Sequence, residues 1–241
     1  MSGVAAFSFV RNAVIYDYPV VESILSVLPL CDYFVIVIGN SEDNTPKLIT
    51  SINDPKIKIY HSIWNENIRE SGTLLAIEAN KALLAIPPAF KWIIYIQADE
   101  VLHEQDYTSI KDAMREYEND ERVEGFALPM LQFYHSYEWV VANPSWNFPM
   151  LRIVKYHPEI RVVGDGNTLA FPNRKIKAKV INATLYHYGW VKNPESLKAK
   201  RISFEKMWSE SDEKALRKAQ NSLNQKLHLI RFNGTHPEVM H

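Results

Sequence analysis

Cysteine is almost absent, since Cys31 is the single one in 241 residues. One thiol excludes an intrachain disulfide framework and a cysteine-built zinc site, and it fits a reducing compartment. Charge excess is lacking as well: 27 Lys and Arg face 28 Asp and Glu, for a formal net charge of −1. A chain so balanced has no global basic field to neutralise nucleic-acid phosphates, so nucleic acid is not an expected partner. No apolar run approaches the ~20 residues needed to span a bilayer, and Val4 to Val10 lacks the length and basic flank of a signal peptide. The expectation is a cytoplasmic protein without a transmembrane segment, in which Asn182-Ala183-Thr184 and Asn233-Gly234-Thr235 match the glycosylation sequon by chance. Repeats, low-complexity tracts and linkers are missing, which with 46% hydrophobic residues points to one domain over 1–241. The absence of a glycine-rich dinucleotide fingerprint and of a phosphate loop argues against a dehydrogenase or a P-loop NTPase. A Gly-x-Ser-x-Gly nucleophile elbow is missing too.

What the sequence does have is an apolar run that stops at acid. Trp92, Ile93, Ile94, Tyr95 and Ile96 in KWIIYIQADEVLHE have the pattern of a strand buried on both faces, and Gln97, Ala98, Asp99 and Glu100 follow at once. In open α/β sheets ligands bind at the carboxyl ends of the strands, so the Asp99-Glu100 pair is expected to serve chemistry rather than packing. A solvated turn is the plainer reading of the same residues.

Strand and helix patterns alternate before that run. Val4 to Val10, Tyr33 to Ile38 and Ile57 to His61 read as strands, and Tyr18 to Leu28 as a helix stopped by Pro29. The second strand empties into the polar loop Gly39 to Thr45. Ser71 to Ile86 reads as a helix capped by Ser71 and ended by Pro87-Pro88. This rhythm predicts a doubly wound parallel sheet through about residue 104. Beyond it, Asp106 to Tyr117 reads as a helix, and Glu124 to His135 and Pro149 to Tyr156 as longer strands. Ile160 to Val163, Thr168 to Phe171 and Val180 to His187 add short strands in a mixed or antiparallel extension. Glu195 to Trp208 and Asp212 to Ile230 read as closing helices, the latter with Leu216, Ala219, Leu223, Leu227 and Ile230 along one face.

Seven stretches, taken in order, resemble a bacterial branch of the family 2 glycosyltransferases over nearly the whole chain. They are SFVRNAVIYDYPVVESI, IGNSEDNT, SGTLLAIEANKALL, WIIYIQADEVLHE, VEGFALPMLQFYHSY, LYHYGWVK and FNGTHPEVM. The resemblance implies the α/β GT-A fold: a Rossmann-like, mostly parallel sheet flanked by helices, with a mixed C-terminal extension. Residues 1–104 would be the nucleotide-binding half and 105–241 the acceptor-side half. It also implies transfer of a sugar from a nucleotide-sugar donor to a carbohydrate, glycan or lipid-linked acceptor, with inversion and with Mn²⁺ or Mg²⁺. Carried onto this sequence, Phe9, Arg11, Asn12 and Asp43 line the nucleotide pocket, and Asn80 matches the Asn of the family's central helix. Gln97 and Asp99 stand in the place of the Asp-x-Asp signature, and Asp99 and His187 are the metal ligands. Gln97 is a departure, an amide where the first acid belongs. The family's base is an Asp or Glu, for which Asp165 in Val163-Gly164-Asp165-Gly166-Asn167 is the best positional match and Glu138 the second.

Several residues have a second reading. Asp165 reads equally as the turn of a hairpin, because Asp-Gly is a strong hairpin signal. His187 also reads as a core histidine. Tyr134, Trp139, Trp146, Tyr188 and Trp190 are candidates to stack on a sugar or base, against ordinary use in a core. Lys192, Lys198, Lys200 and Arg201 could neutralise a diphosphate, but beside Glu195 and Glu205 they read as a solvated face. Two other functional classes compete. Gln97 keeps open a nucleotide-sugar or carbohydrate binding protein without turnover. A sugar nucleotidyltransferase would carry a glycine-rich, basic N-terminal loop, where residues 1–20 hold only Gly3 and Arg11.

Overall fold

A computed structural model describes residues 3–143, 146–223 and 227–241 of the protein. The first half runs β1 (Val4–Val10), α1 (Val20–Val27), β2 (Tyr33–Ile38), α2 (Thr45–Thr50), β3 (Ile57–His61), α3 (Thr73–Leu84) and β4 (Trp92–Tyr95). There follow β5 (Glu100–Leu102), α4 (Tyr107–Glu116), β6 (Gly125–Leu128), β7 (Met130–Tyr134), β8 (Ser136–Val141) and β9 (Met150–Lys155). The remainder is β10 (Arg161–Val163), β11 (Thr168–Phe171), β12 (Arg174–Lys175), β13 (Ala178–Val180), β14 (Leu185–Trp190), α5 (Pro194–Lys206), α6 (Asp212–Leu223) and β15 (Leu229–Arg231).

A mixed sheet in the order β13-β6-β9-β4-β1-β2-β3 forms the centre. It is mostly parallel: β1/β2, β2/β3, β1/β4 and β13/β6 run together, and β9 is antiparallel to both β4 and β6. Successive residues of a strand point to opposite faces, which is why continuous apolar runs were needed here. Val4, Ala6 and Val10, Phe34, Ile36 and Ile38, and Trp92 and Ile94 share one core with Val20, Ile24 and Val27 of α1 and Ile110 and Met114 of α4. Ala5, Phe7, Val35, Val37, Ile93 and Tyr95 turn the other way and meet Ala76, Ala79, Ala82 and Leu83 of α3. The α/β class and the helix-flanked, mostly parallel sheet are those expected from the sequence.

A second sheet, β15-β8-β7-β14-β5, has its own core of Val101, Phe133, Val140, Tyr186 and Tyr188. The C-terminal stretch FNGTHPEVM closes it. Phe232 meets Phe133 edge-on at 5.0 Å, His236 Nδ1 lies 2.8 Å from the Tyr188 hydroxyl, and Thr235 Oγ1 lies 2.9 Å from His103 Nε2. Among the described residues no helix is long and apolar enough to cross a membrane.

Several expected elements are divided or shifted. Glu124 to His135 is two strands in different sheets, and the break falls at Pro129, which has no N–H to offer a ladder. Val180 to His187 is split likewise between β13 and β14. Strand β8 occupies a stretch for which no element was expected. Pro29 does not stop the chain's coiling, because Leu28–Leu30 continue α1 as a tight 3₁₀ turn. Ser71 does not cap α3: Ser71 and Gly72 both have left-handed φ, of 49° and 70°, and no side chain caps the helix. The expected helix Asp212 to Ile230 ends earlier as α6, residues 224–226 lie outside the described residues, and Leu229–Arg231 pair with β8 as a strand. Ala215 and Ala219 are the buried face of α6, whereas Leu216 is exposed.

Candidate functional site

At the end of β4 the chain leaves one sheet for the other, and Gln97, Ala98 and Asp99 form the crossing. Helix α1 ties it down: Ser23 Oγ donates to the Gln97 carbonyl at 2.9 Å, and Leu102 N donates to Ser26 Oγ at 3.1 Å. The two adjacent acids then part company. Glu100 is only 1% exposed and pairs bidentately with Arg152, whose Nε and Nη2 donate to its two oxygens at 2.8 and 2.6 Å. The expectation that both acids serve chemistry is corrected for Glu100, which holds β5 to β9 through a buried ion pair.

Asp99 faces a cavity. Its Oδ2 accepts a hydrogen bond from Lys200 Nζ at 2.8 Å and lies 3.5 Å from His187 Nε2. Burial by itself would raise the Asp99 carboxyl, but the Lys200 charge and His187 outweigh it and hold the group well below the usual carboxylate range. Lys200 also donates to the Gly189 carbonyl at 2.9 Å, and its ammonium lies 4.5 Å from the Trp190 ring and 4.9 Å from that of Tyr18. The reading of Lys200 as part of a solvated face is corrected: it is 7% exposed. Only glycine fits at position 189. A Cβ there would come within 2.4 Å of His187 Cε1, 2.6 Å of Asp99 Oδ2 and 2.7 Å of Lys200 Nζ. Gly189→Ala is therefore expected to lose about 1–3 kcal/mol of stability through overpacking, read from the urea midpoint. A variant as stable as the native protein would show that these three groups are not packed as described.

The cavity measures about 740 Å³, within the range of small-molecule sites. Phe9, Arg11 and Asn12, at the carboxyl end of β1, form one wall with Trp64. Asn12 adopts a left-handed φ of 55°, which Asn tolerates, and its Oδ1 accepts the Glu42 N–H at 2.8 Å. Arg11 pairs with Glu66 at 2.6 Å and with Glu42 at 3.5 Å, its guanidinium 5.8 Å from the Trp64 ring. Trp64 lies against Gly39, where a Cβ would meet its Nε1 at 2.4 Å.

Asp165 also lines the cavity and is at once turn and cavity residue. Val163 pairs with Thr168, so 164–167 is the tip of the β10–β11 hairpin, with Gly164 and Gly166 at φ of 64° and 84°. Three side chains clamp that tip. The Tyr95 hydroxyl donates to the Gly166 carbonyl at 2.6 Å, Gln97 Nε2 donates to the same oxygen at 3.1 Å, and Arg152 Nη1 donates to the Asn167 carbonyl at 2.8 Å. A carboxylate at position 97 could not donate, which gives the amide a structural purpose. Asp165 Oδ2 accepts from Asn167 Nδ2 at 2.7 Å.

The other expected site residues lie elsewhere. Asp43 is not on the cavity wall: burial would raise its carboxyl, but the Thr45 hydroxyl first, and then Ile15 N at 2.8 Å and Thr45 N at 2.9 Å, donate to it and hold it low. Asn80 braces β10 from α3, donating to the Val162 carbonyl at 2.8 Å and accepting its N–H at 2.9 Å. Glu138 is exposed on β8 and does not line the cavity. Of the aromatic candidates Trp146 and Trp190 line it, whereas Tyr134 and Tyr188 are buried and Trp139 is partly exposed on β8.

A divalent ion does not fit the residues around Asp99. Gln97 supplies an amide where a second carboxylate is expected, and the ammonium of Lys200 occupies the ground 2.8 Å from Asp99 Oδ2. A ligating imidazole normally has its other nitrogen braced, but with Nε2 facing Asp99 the Nδ1 of His187 is buried without a partner. Among the described residues no group of three or more His, Cys, Asp or Glu could hold a metal.

Trp64 and Arg152 went unread in the sequence, whereas Lys200 is named there as a possible partner of a diphosphate and weighed against a solvated face. Arg152 alone left a signal, a charge inside the apolar stretch PMLRIVKY, since a buried arginine requires a partner. No family model matches the chain, and no curated protein does. It is similar to the crystal structure of S. aureus TarS 1–349 in complex with UDP, at 13% identity and a TM-score of 0.46, over 91% of this chain and 71% of that one. It is similar also to 4-diphosphocytidyl-2C-methyl-D-erythritol synthase from Anaerococcus prevotii, at 12% identity and a TM-score of 0.42, over 93% and 99% of the two chains. A third similar structure is glucosyl-3-phosphoglycerate synthase from Mycobacterium tuberculosis in complex with Mn²⁺, UDP and phosphoglyceric acid, at 14% identity and a TM-score of 0.34, over 55% and 43%.

Proposed function

We propose that the protein is a glycosyltransferase that moves a sugar from a nucleotide-sugar donor to a carbohydrate, glycan or lipid-linked acceptor by a single inverting displacement. The observation that carries this reading is the concentration of unsatisfied polar groups around one cavity. Of the eight buried side-chain atoms without a hydrogen-bond partner among the described residues, five belong to its lining: Arg11 Nε, Trp64 Nε1, Gln132 Oε1, His187 Nδ1 and Arg201 Nε. Buried polar atoms left unpaired are costly, so their clustering is the mark of a polar ligand. Four of the five are nitrogens, a donor-rich lining that suits an anionic ligand, and Trp64 is a candidate to stack on a base.

The cavity has two sides with different chemistry. Phe9, Arg11, Asn12 and Trp64 would receive the nucleoside, and Asp99, His187 and Lys200 the diphosphate end. Asp165, held on the clamped hairpin tip, would face the acceptor and take its hydroxyl proton as the oxygen attacks the anomeric carbon. Asp99 is engaged by Lys200 and does not serve as that base. The test is isothermal titration with UDP, GDP and their sugar conjugates, followed by donor turnover with acceptor saccharides. A nucleoside diphosphate is expected to bind in the micromolar range or tighter, and Trp64→Ala to weaken it about 10-fold, the order of one lost stacking contact. Binding with no turnover for any acceptor would select the silent binding protein, and absence of binding would end the donor reading altogether.

A further inference from the structure

We propose that Lys200 supplies the positive charge that the donor diphosphate needs, so that this site binds nucleoside diphosphates without a divalent ion. The inference rests on the donor reading above and specifies how its diphosphate end works.

The resemblance assigns Asp99 and His187 to a metal, and the structure puts an ammonium beside that pair instead. Lys200 Nζ sits 2.8 Å from Asp99 Oδ2, where a cation bridging carboxylate and diphosphate would be sought. An ammonium has three N–H donors. Asp99 and the Gly189 carbonyl take two of them, and the third has no protein partner among the described residues. The faces of Trp190 and Tyr18 lie 4.5 and 4.9 Å away and stabilise the charge without consuming a donor. Lys200 lines the cavity with Arg201, whose guanidinium lies 3.9 Å from the centre of the Trp190 ring and whose Nε is unpaired. Helix α5 therefore brings two cations to the point where charge develops on a leaving diphosphate.

Two details show that the arrangement is built rather than incidental. Position 189 is glycine, and a Cβ there would displace Lys200 Nζ, Asp99 Oδ2 and His187 Cε1 from their present places. Position 97 is an amide that donates to Gly166. The position at which a metal site would carry its second carboxylate is thus occupied by a hydrogen-bond donor to the hairpin tip.

The experiment is titration of the full chain with UDP and with GDP, once in EDTA and once in Mn²⁺, for the native protein, Lys200→Ala, and Lys200→Ala with Asp99→Ala. The native protein is expected to bind equally well in EDTA and Mn²⁺, within about two-fold. Lys200→Ala should weaken binding in EDTA by about 10- to 100-fold, the cost of one charged hydrogen bond. Mn²⁺ should then recover part of the loss in the single variant, where Asp99 is free to take it, and none in the double variant. Native binding that requires Mn²⁺ overturns the inference while leaving the donor reading intact, and this comparison needs no variant to fold. Metal-independent binding that Lys200→Ala, with a native melting profile, leaves unchanged overturns it as well. If neither diphosphate binds with or without Mn²⁺, the donor reading fails and the inference falls with it.

Discussion

Arg152→Met is expected to lower the stability of the protein by about 3–5 kcal/mol, measured by urea denaturation at pH 7, the usual cost of removing one partner of a buried ion pair. Glu100 is 1% exposed, and its two oxygens take Arg152 Nε at 2.8 Å and Nη2 at 2.6 Å. Without the guanidinium a carboxylate is left uncompensated in the interior, and the Asn167 carbonyl loses its donor. Because no charge then remains to be buried, combining Arg152→Met with Glu100→Gln should recover a large part of the loss. A single variant within ~1 kcal/mol of the native protein, or a double variant worse than the single one by the full cost of a second lesion, would contradict the pairing. The Asp165 hairpin should loosen as well, since Arg152 is one of the three side chains that clamp its tip.

Asp165→Asn is expected to lower turnover by about 10²–10⁴-fold while leaving nucleoside diphosphate affinity nearly unchanged, as removal of a general base does when donor contacts are kept. The substitution conserves shape, and an Asn side chain can still accept the Asn167 amide bond of 2.7 Å. What it removes is the ability to accept a proton from an attacking hydroxyl. Glu138→Gln is the comparison, because Glu138 is exposed on β8 away from the cavity, and it should be silent. Full transfer activity in Asp165→Asn would remove the residue from the chemistry, and loss of activity in Glu138→Gln would move the base there.

The extent to which the sequence discloses this protein follows from the range of the forces involved. Strands β1, β2 and β3 are legible to the residue: β1 and β2 are continuous apolar runs buried on both faces, which have few alternatives, and β3, IKIYH, alternates as a half-exposed edge strand does. The polar edge that borders the cavity is legible for the same reason, because the run Trp92 to Ile96 ends where the sheet ends, and polar residues mark that point. Local pattern also gives the Asp165 turn, whose glycines adopt the left-handed backbone that the sequence calls for. The second sheet is not legible in this way. Strand β15 is defined by pairing with β8 across some ninety residues, and β7 separates from β6 where Pro129 sends the chain into another sheet. Nor can sequence separate Asp99 from Glu100: the two are adjacent and chemically alike, and their fates differ because Arg152 stands beside one and Lys200 beside the other. Lys200 looks like its neighbours Lys198 and Arg201 until α5 is laid against β14. The sequence by itself determined the parallel strands and the polar edge at which they end, because burial of an apolar run is a local property. Which charge faces which was decided only by the tertiary structure, because an ion pair depends on distances between segments that no local pattern encodes.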